Sequence, residues 1–417
     1  MHITVVVFGT WGDLRPNVVL AQALKQAGHH VQVLTTRDFE DWVRTHTLDY
    51  APIQVNIQAM LDDMTSSSNP IKFLRMMREK IAPAMLQFAA DTAEATRESD
   101  VMLVHEMGTP ALSGVVEANN LTQININLQP LTRTRTIQIA GFPPLPDWMP
   151  LQAVYNNTTY TFWQRLIWTL LGSRGNEFRT EHLNLPKMTW GQYQHMLKNT
   201  PTLTLVSEHL LPRPADWRAN QHLTGFLFDH DEAWEAPQSL VDFLAAGEKP
   251  IYVGFGSMAD KKPEETTRIV LAAMRQTGKR AVILSGWAGI GQTDVPDNVH
   301  ILKYAPHSWL FPRMAALIHH GGAGTTAAGI RAGVPAIVVP HLSDQPYWGN
   351  LLHQNGVATR NIPRGKLSVD RLVAAIHEVT SSQQMHERAA QLGEKIRAED
   401  SVGKTMQVID HALSNRP

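Results

Sequence analysis

His319-His320-Gly321-Gly322-Ala323-Gly324-Thr325-Thr326 decides how this chain is read. The run before it, Ala315-Ala316-Leu317-Ile318, has the unbroken apolar character of a strand buried on both faces. The run after it, from Gly324 to Ala332, reads as a helix. A glycine-rich turn between strand and helix leaves N–H groups bare at the helix N-terminus. Those donors and the helix dipole together attract an anion. About twenty residues on, Pro340-His341-Leu342-Ser343-Asp344-Gln345 ends a second apolar strand, Ala336–Val339. A phosphate seat beside a carboxylate–amide pair fits a nucleotide-sugar site.

The same strand–helix alternation extends in both directions, which predicts parallel sheets with right-handed crossovers. Downstream of residue 238 the expected strands are Ile251–Phe255, Ala281–Ser285, Val299–Leu302, Ala315–His319 and Ala336–Val339. Upstream, His2–Phe8 is read as a strand, and Pro16–Ala27 as a helix with proline in its first turn. Val31–Thr35, Val101–Val104, Gln123–Asn127 and Leu203–Ser207 complete that unit, with a long helix over 71–98 kinked near Pro83. Residues 130–200 lose the pattern and are rich in Pro, Trp, Tyr and Thr, as expected for loops and helices that shape a cleft. The fold class is α/β, with two Rossmann-like domains facing one another. Residues 1–211 form the first domain, 212–237 a linker and 238–396 the second. Residues 397–417 are expected as a helical end segment.

Composition removes several functions. The 417 residues are 43% hydrophobic and 18% charged, with net charge −1 and no cysteine. Near-neutral charge argues against a nucleic-acid partner. Without cysteine there is no disulfide, zinc–thiolate site or thiol nucleophile. No signal peptide and no run of about 20 apolar residues is seen, so a cytoplasmic protein is expected.

The individual residues carry both bland and chemical readings. Gly321, Gly322 and Gly324 let a ligand approach the backbone, or simply pack a turn. His320 is placed to donate to phosphate. Adjacent His319 points to the opposite face and is expected to be structural. Ser257, in Gly254-Phe255-Gly256-Ser257-Met258, sits at a second strand-to-helix turn, where it either reaches phosphate or caps a helix. Asp344-Gln345 suits sugar hydroxyls, or caps the helix that follows. In Gly9-Thr10-Trp11-Gly12-Asp13, which is not a dinucleotide fingerprint, Asp13 is a general-base candidate or the cap of the helix after Pro16. His105, past another strand end, is a weaker base candidate. Asp229-His230-Asp231 has a metal-binding pattern but lies in the linker, where a solvated loop is expected. Met76, Met77 and Met85 are soft side chains suited to a core or a greasy cleft.

Taken together, these segments resemble the GT-B-fold, UDP-sugar-dependent glycosyltransferases, above all the sterol glucosyltransferases and bacterial antibiotic glycosyltransferases. The likeness rests on Gly9–Pro16, Thr224-Gly225-Phe226, Tyr252–Met258, Ser285-Gly286-Trp287, Pro306–Arg313, His319–Thr326, Arg331–Pro335 and Asp344–Gly349. The first segment departs from the usual form: Thr10-Trp11 replaces a small residue and arginine, and Leu14-Arg15 replaces Val-Gln. The resemblance implies an inverting transfer with Asp13 as base and neither metal nor cofactor. It implies a UDP-sugar donor, with UDP-glucose expected. It gives the diphosphate to His320, Gly322, Ala323, Gly324 and Thr325, helped by Ser257, and the sugar to Asp344 and Gln345. The nucleoside falls to Tyr304, Ala305, His307 and Trp287. Thr10, Trp11, Gly12, Met77, Phe142 and Trp148 are the expected acceptor contacts. The expected acceptor is a hydroxyl on an apolar molecule such as a sterol, or alternatively a polyketide, macrolide or phenolic. A non-catalytic nucleotide-sugar binder is the reading from another class. The short N-terminus favours a bacterial source, and an apolar cleft mouth permits peripheral contact with a membrane.

Overall fold

A computed structural model describes residues 1–55, 77–146, 148–229, 234–256, 262–285, 295–341 and 344–414. Seven strands form the first sheet: β1 (His2–Val6), β2 (His30–Thr36), β3 (Asp49–Ile53), β4 (Val101–Val104), β5 (Thr122–Asn127), β6 (Thr202–Thr204) and β7 (Gln221–Leu223). Five form the second: β8 (Ile251–Gly254), β9 (Ala281–Leu284), β10 (Val299–Leu302), β11 (Ala316–His319) and β12 (Ala336–Val338). Every pairing is parallel. The strand orders are β3-β2-β1-β4-β5-β6-β7 and β10-β9-β8-β11-β12. Central strands are buried on both faces, as in β4, whose four residues Val-Met-Leu-Val are at most 3% exposed.

Each order reverses once, between β1 and β4 in the first sheet and between β8 and β11 in the second. At such a switch point the crossovers leave to opposite sides and open a crevice at the strands' carboxyl ends. The loop after β1 leads into the helix whose first turn holds Asp13, and the loop after β4 carries His105. The loops after β8 and β11 carry Gly256 and the His319–Thr326 run.

Three local expectations are corrected. The first helix, α1 (Trp11–Gln26), begins at Trp11, so Pro16 lies within it rather than opening it. Thr10 takes the N-cap position, which places Asp13 in the first turn rather than in a loop. The stretch expected as linker contributes β7 to the first sheet. Asp229, expected in a solvated loop, has a side chain only 10% exposed; it faces Arg15 at 3.6 Å and His46 at 3.9 Å. Residues 230–233 lie outside the described residues.

The two sheets are joined by more than the chain. Gly225 has φ +89, and a Cβ there would collide with Ser401 Oγ, so linker and C-terminal segment cross in close contact. Ser207 donates to Glu399 at 2.7 Å, and Asn355 donates to the Leu210 carbonyl at 3.1 Å. The final helix, Ser401–Ser414, buries Ile409 and Leu413 in the core formed by β1 and α1.

Candidate active site

At the first switch point, Asp13 folds back over the start of α1. Its Oδ2 accepts from the Thr10 N–H at 2.7 Å and from Thr10 Oγ1 at 3.1 Å. A Cβ on Gly9 would collide with this carboxylate, so glycine there gives it room. Burial raises the Asp13 pKa above the ordinary 3.8, while the Thr10 hydrogen bonds oppose the rise. His105 follows β4. Burial pushes its pKa down to about 4, so the ring is neutral at pH 7. Its Nδ1 faces the Met107 N–H at 3.4 Å. Sequence reasoning missed the neighbouring Glu106, a buried carboxyl whose pKa burial raises. Asn127 holds it, donating to Glu106 Oε2 at 3.0 Å. An acid two residues after a strand, with its partner 21 residues away, gave no sequence signal.

The expected acceptor contacts are spread over several elements. Trp11, 41% exposed, lies edge-on to Phe39 and Trp42. Arg15 stands over the Trp11 and Trp42 rings. Gly12 is exposed beside Trp11. Phe142 packs against a small cluster around Tyr160 and meets Phe162 edge-on. Trp148 is 79% exposed on a proline-rich loop. Met77 opens a short π-helical turn, Met77–Ile81, and its side chain lies outside the described residues.

At the second switch point His319 ends β11 and His320 follows it, and both are buried. His319 is 1% exposed and accepts from the Gly321 N–H at 3.1 Å. Burial drives its pKa to about 3. His320 lies between two glycine turns. A Cβ on Gly256 would sit 2.8 Å from its Cε1, and one on Gly322 only 2.5 Å from its Nε2. Its pKa falls to about 4 through burial, so a neutral imidazole with one N–H to donate faces the turn.

Gly322 is the N-cap of helix α2 (Ala323–Ala332), which has no acidic residue in its first turn. A Cβ on Gly324 would meet none of the described residues within 4 Å, so among them the space beside the helix's first turn is open. Asp344 is the N-cap of helix α3 (Gln345–Gln354), but its side chain does not cap it. Asp344 Oδ2 instead accepts from Trp348 Nε1 at 2.7 Å. Gln345 is 3% exposed, and its Oε1 accepts from the His341 N–H at 2.8 Å. Tyr304 is 48% exposed after β10, whereas Ala305 is 2% exposed. His307 stacks on Phe311 at 4.2 Å. Ser257 and Trp287 lie outside the described residues.

Residues 3–126 match the glycosyltransferase family 28 N-terminal domain. Residues 268–409 match the erythromycin biosynthesis protein CIII-like C-terminal domain. The chain is thus similar to these two domains in its two halves, and its fold is GT-B. This GT-B chain is 32% identical over 415 residues to sterol 3-beta-glucosyltransferase UGT80A2 of Arabidopsis thaliana, covering 96% of itself and 64% of that protein. It is 30% identical to a sterol 3-beta-glucosyltransferase of Emericella nidulans, covering 98% of itself and 30% of that protein. It thus spans under two thirds of the one and under a third of the other. Among solved structures, the GT-B chain aligns with a kitacinnamycin glycosyltransferase at TM-score 0.72 and 21% identity, covering 99% and 98% of the two chains. The calicheamicin glycosyltransferase CalG4 aligns at TM-score 0.71 and 14% identity, with the same coverage. These two likenesses concern the fold.

Proposed function

We propose that the chain is an inverting glycosyltransferase that moves a hexose, glucose by preference, from a UDP-sugar to a hydroxyl of an apolar acceptor such as a sterol. The observation that carries this is the open N-terminus of α2, with the neutral His320 ring beneath it, at one switch point while Asp13 occupies the other. Sterol is preferred to a macrolide or phenolic because the relatives near 30% identity are named for sterol glucosylation.

In the proposed reaction Asp13 takes the acceptor hydroxyl's proton as its oxygen attacks the anomeric carbon. The bond from that carbon to the β-phosphate oxygen breaks from the opposite face, and its electron pair leaves with UDP. Negative charge then grows on the diphosphate. The N–H groups at Ala323, Gly324 and Thr325 and the His320 N–H stabilise it where it develops, in the role a cation would otherwise fill. Ser257 adds a donor. Asp344 accepts from sugar hydroxyls, with Gln345 beside it. Tyr304, Ala305, His307 and Trp287 line the nucleoside side. Thr10, Trp11, Gly12 and Phe142 face the acceptor.

The test is incubation with UDP-glucose and a sterol in the presence of a chelator, read by mass spectrometry. A glucosylated sterol with β configuration is expected. Failure to transfer to any hydroxylated apolar acceptor, with UDP-glucose left intact, would contradict the proposal.

A further inference from the structure

Ten large hydrophobic side chains are exposed in the described residues, and six of them fall between Trp148 and Leu166. Trp148, Met149 and Leu151 stand on one loop. Val154, Phe162 and Leu166 stand on the helix after it, Gln152–Ile167, and on one side of it at about 100° per residue. The opposite side buries Asn156, Thr159, Tyr160 and Ile167. Thr158, on the exposed side, spends its hydroxyl on the Val154 carbonyl at 2.7 Å and so turns its methyl outward. The result is an apolar face, 58% exposed at Phe162 and 71% at Leu151.

The loop before the helix is built to leave water. Pro143, Pro144, Pro146 and Pro150 have no N–H to desolvate. The Pro143 carbonyl accepts from Tyr155 Oη at 2.7 Å, and the Pro146 carbonyl from Gln152 Nε2 at 2.7 Å. Backbone groups paired within the protein are what an apolar medium demands. Leu151 adopts φ +69, a conformation that Asn or Gly reaches at less cost. An apolar side chain is held there at the expense of backbone strain.

Charge selects the occupant. Between Glu117 and Glu177 the sequence has four arginines and one carboxylate, Asp147, whereas the whole chain has net charge −1. Arg133 and Arg135 are exposed, and Arg133 donates to Asn157 on the same helix. Arg165 lies on the apolar face over the Trp190 ring, 4.9 Å from its centre. Asp216, beside Arg135, has its two oxygens occupied by Thr134 and the Arg135 N–H.

We propose that this loop and helix face seat on the anionic surface of a lipid bilayer, the Trp148–Leu151 tip entering the headgroup region. An apolar, self-satisfied surface flanked by arginines is the chemistry of interfacial binding. The inference deepens the proposed function, since an apolar acceptor is concentrated in a bilayer, but its test reads no chemistry. The full chain is centrifuged with vesicles of phosphatidylcholine alone or mixed with phosphatidylglycerol. It is expected to partition onto the mixed vesicles, more weakly onto the neutral ones, and less at high salt. The triple variant Leu151→Asn, Phe162→Ser, Leu166→Ser should lower partitioning about tenfold or more while binding UDP with unchanged affinity, which shows that it is folded. Arg133→Gln with Arg165→Gln should remove most of the preference for anionic vesicles. No partitioning onto either vesicle, or equal partitioning by the triple variant, would overturn the inference. Self-association of the wild type that the triple variant abolishes, without vesicle binding, would overturn it too and assign the face to a second copy. A chain that binds vesicles but not UDP would instead strike the functional proposal alone.

Discussion

Trp348 donates its indole N–H to Asp344 Oδ2 at 2.7 Å, one helical turn back along α3. The indole is fully buried, so it fixes the carboxylate at the mouth of the β12 loop. Trp348→Phe keeps an aromatic ring in the core and removes the donor. A hydrogen bond to a charged group is worth about 1.5–3 kcal/mol, or about 10- to 150-fold in affinity if all of it orients the carboxylate. The variant should lose affinity for UDP-glucose by up to that factor and keep its affinity for UDP. Calorimetry with both ligands checks this; equal losses for the two would mean that Asp344 does not read the sugar.

Asp13→Asn separates turnover from stability. The fold raises this carboxyl's pKa, so its stabilising contribution is present below pH 3.8 and is lost as pH rises through the higher folded value. At neutral pH the charge is therefore a cost to the fold. The variant should melt no lower than the wild type while turnover falls about 10²–10⁴-fold. The base must be ionised, so the wild-type rate should fall as pH drops through the raised pKa. Thr10→Ala removes one donor and should move that acid limb further up. A melting scan and a pH–rate profile test both.

Two glycines of α2 should behave in opposite ways in one respect. Alanine at Gly322 places Cβ 2.5 Å from His320 Nε2 and must displace the ring. UDP affinity and stability should both fall. Alanine at Gly324 meets none of the described residues within 4 Å and replaces a helical glycine, so the fold should gain about 0.5–1 kcal/mol. It should still weaken UDP binding, because the open space is the proposed phosphate seat. Thermal melts with and without UDP give both signs.

Arg15 meets Asp229 at 3.6 Å across the start of α1 and the linker. Arg15→Gln and Asp229→Asn should each destabilise, Asp229→Asn more gently because Arg15 remains 36% exposed to water. The double variant should cost less than the sum, with a coupling of about 1 kcal/mol or less for so open a pair. Chemical denaturation of the four proteins measures it. Strict additivity would show that the pair contributes nothing.

The second domain was the more legible half. Val299–Leu302 is a strand with the same bounds in sequence and structure, and the other four differ by one residue at an end. Short parallel strands buried on both faces are unbroken apolar runs, which is what makes them readable. The first domain hid more. Thr10 and Asp13 form the start of a helix whose Pro16 seemed to mark it, and β7 is three residues, Gln-His-Leu, with no hydrophobic pattern. At the site, the glycine turn between β11 and α2 was legible from its place between an apolar run and a helix. The Asp229 ion pairs depend on tertiary placement, which neither spacing nor composition encodes, whereas the Trp348–Asp344 bond joins residues four apart on one helix and lies within reach of the sequence pattern.

The claim on which the mechanism rests is that dipoles of the protein, at the N-terminus of α2, hold the departing diphosphate. A crystal structure with UDP bound tests it most directly. Phosphate oxygens about 2.7–3.2 Å from the N–H groups of Ala323, Gly324 or Thr325 and from His320 Nε2 are the predicted result. A diphosphate seated away from that turn, or held by a divalent cation with those N–H groups facing water, would contradict it.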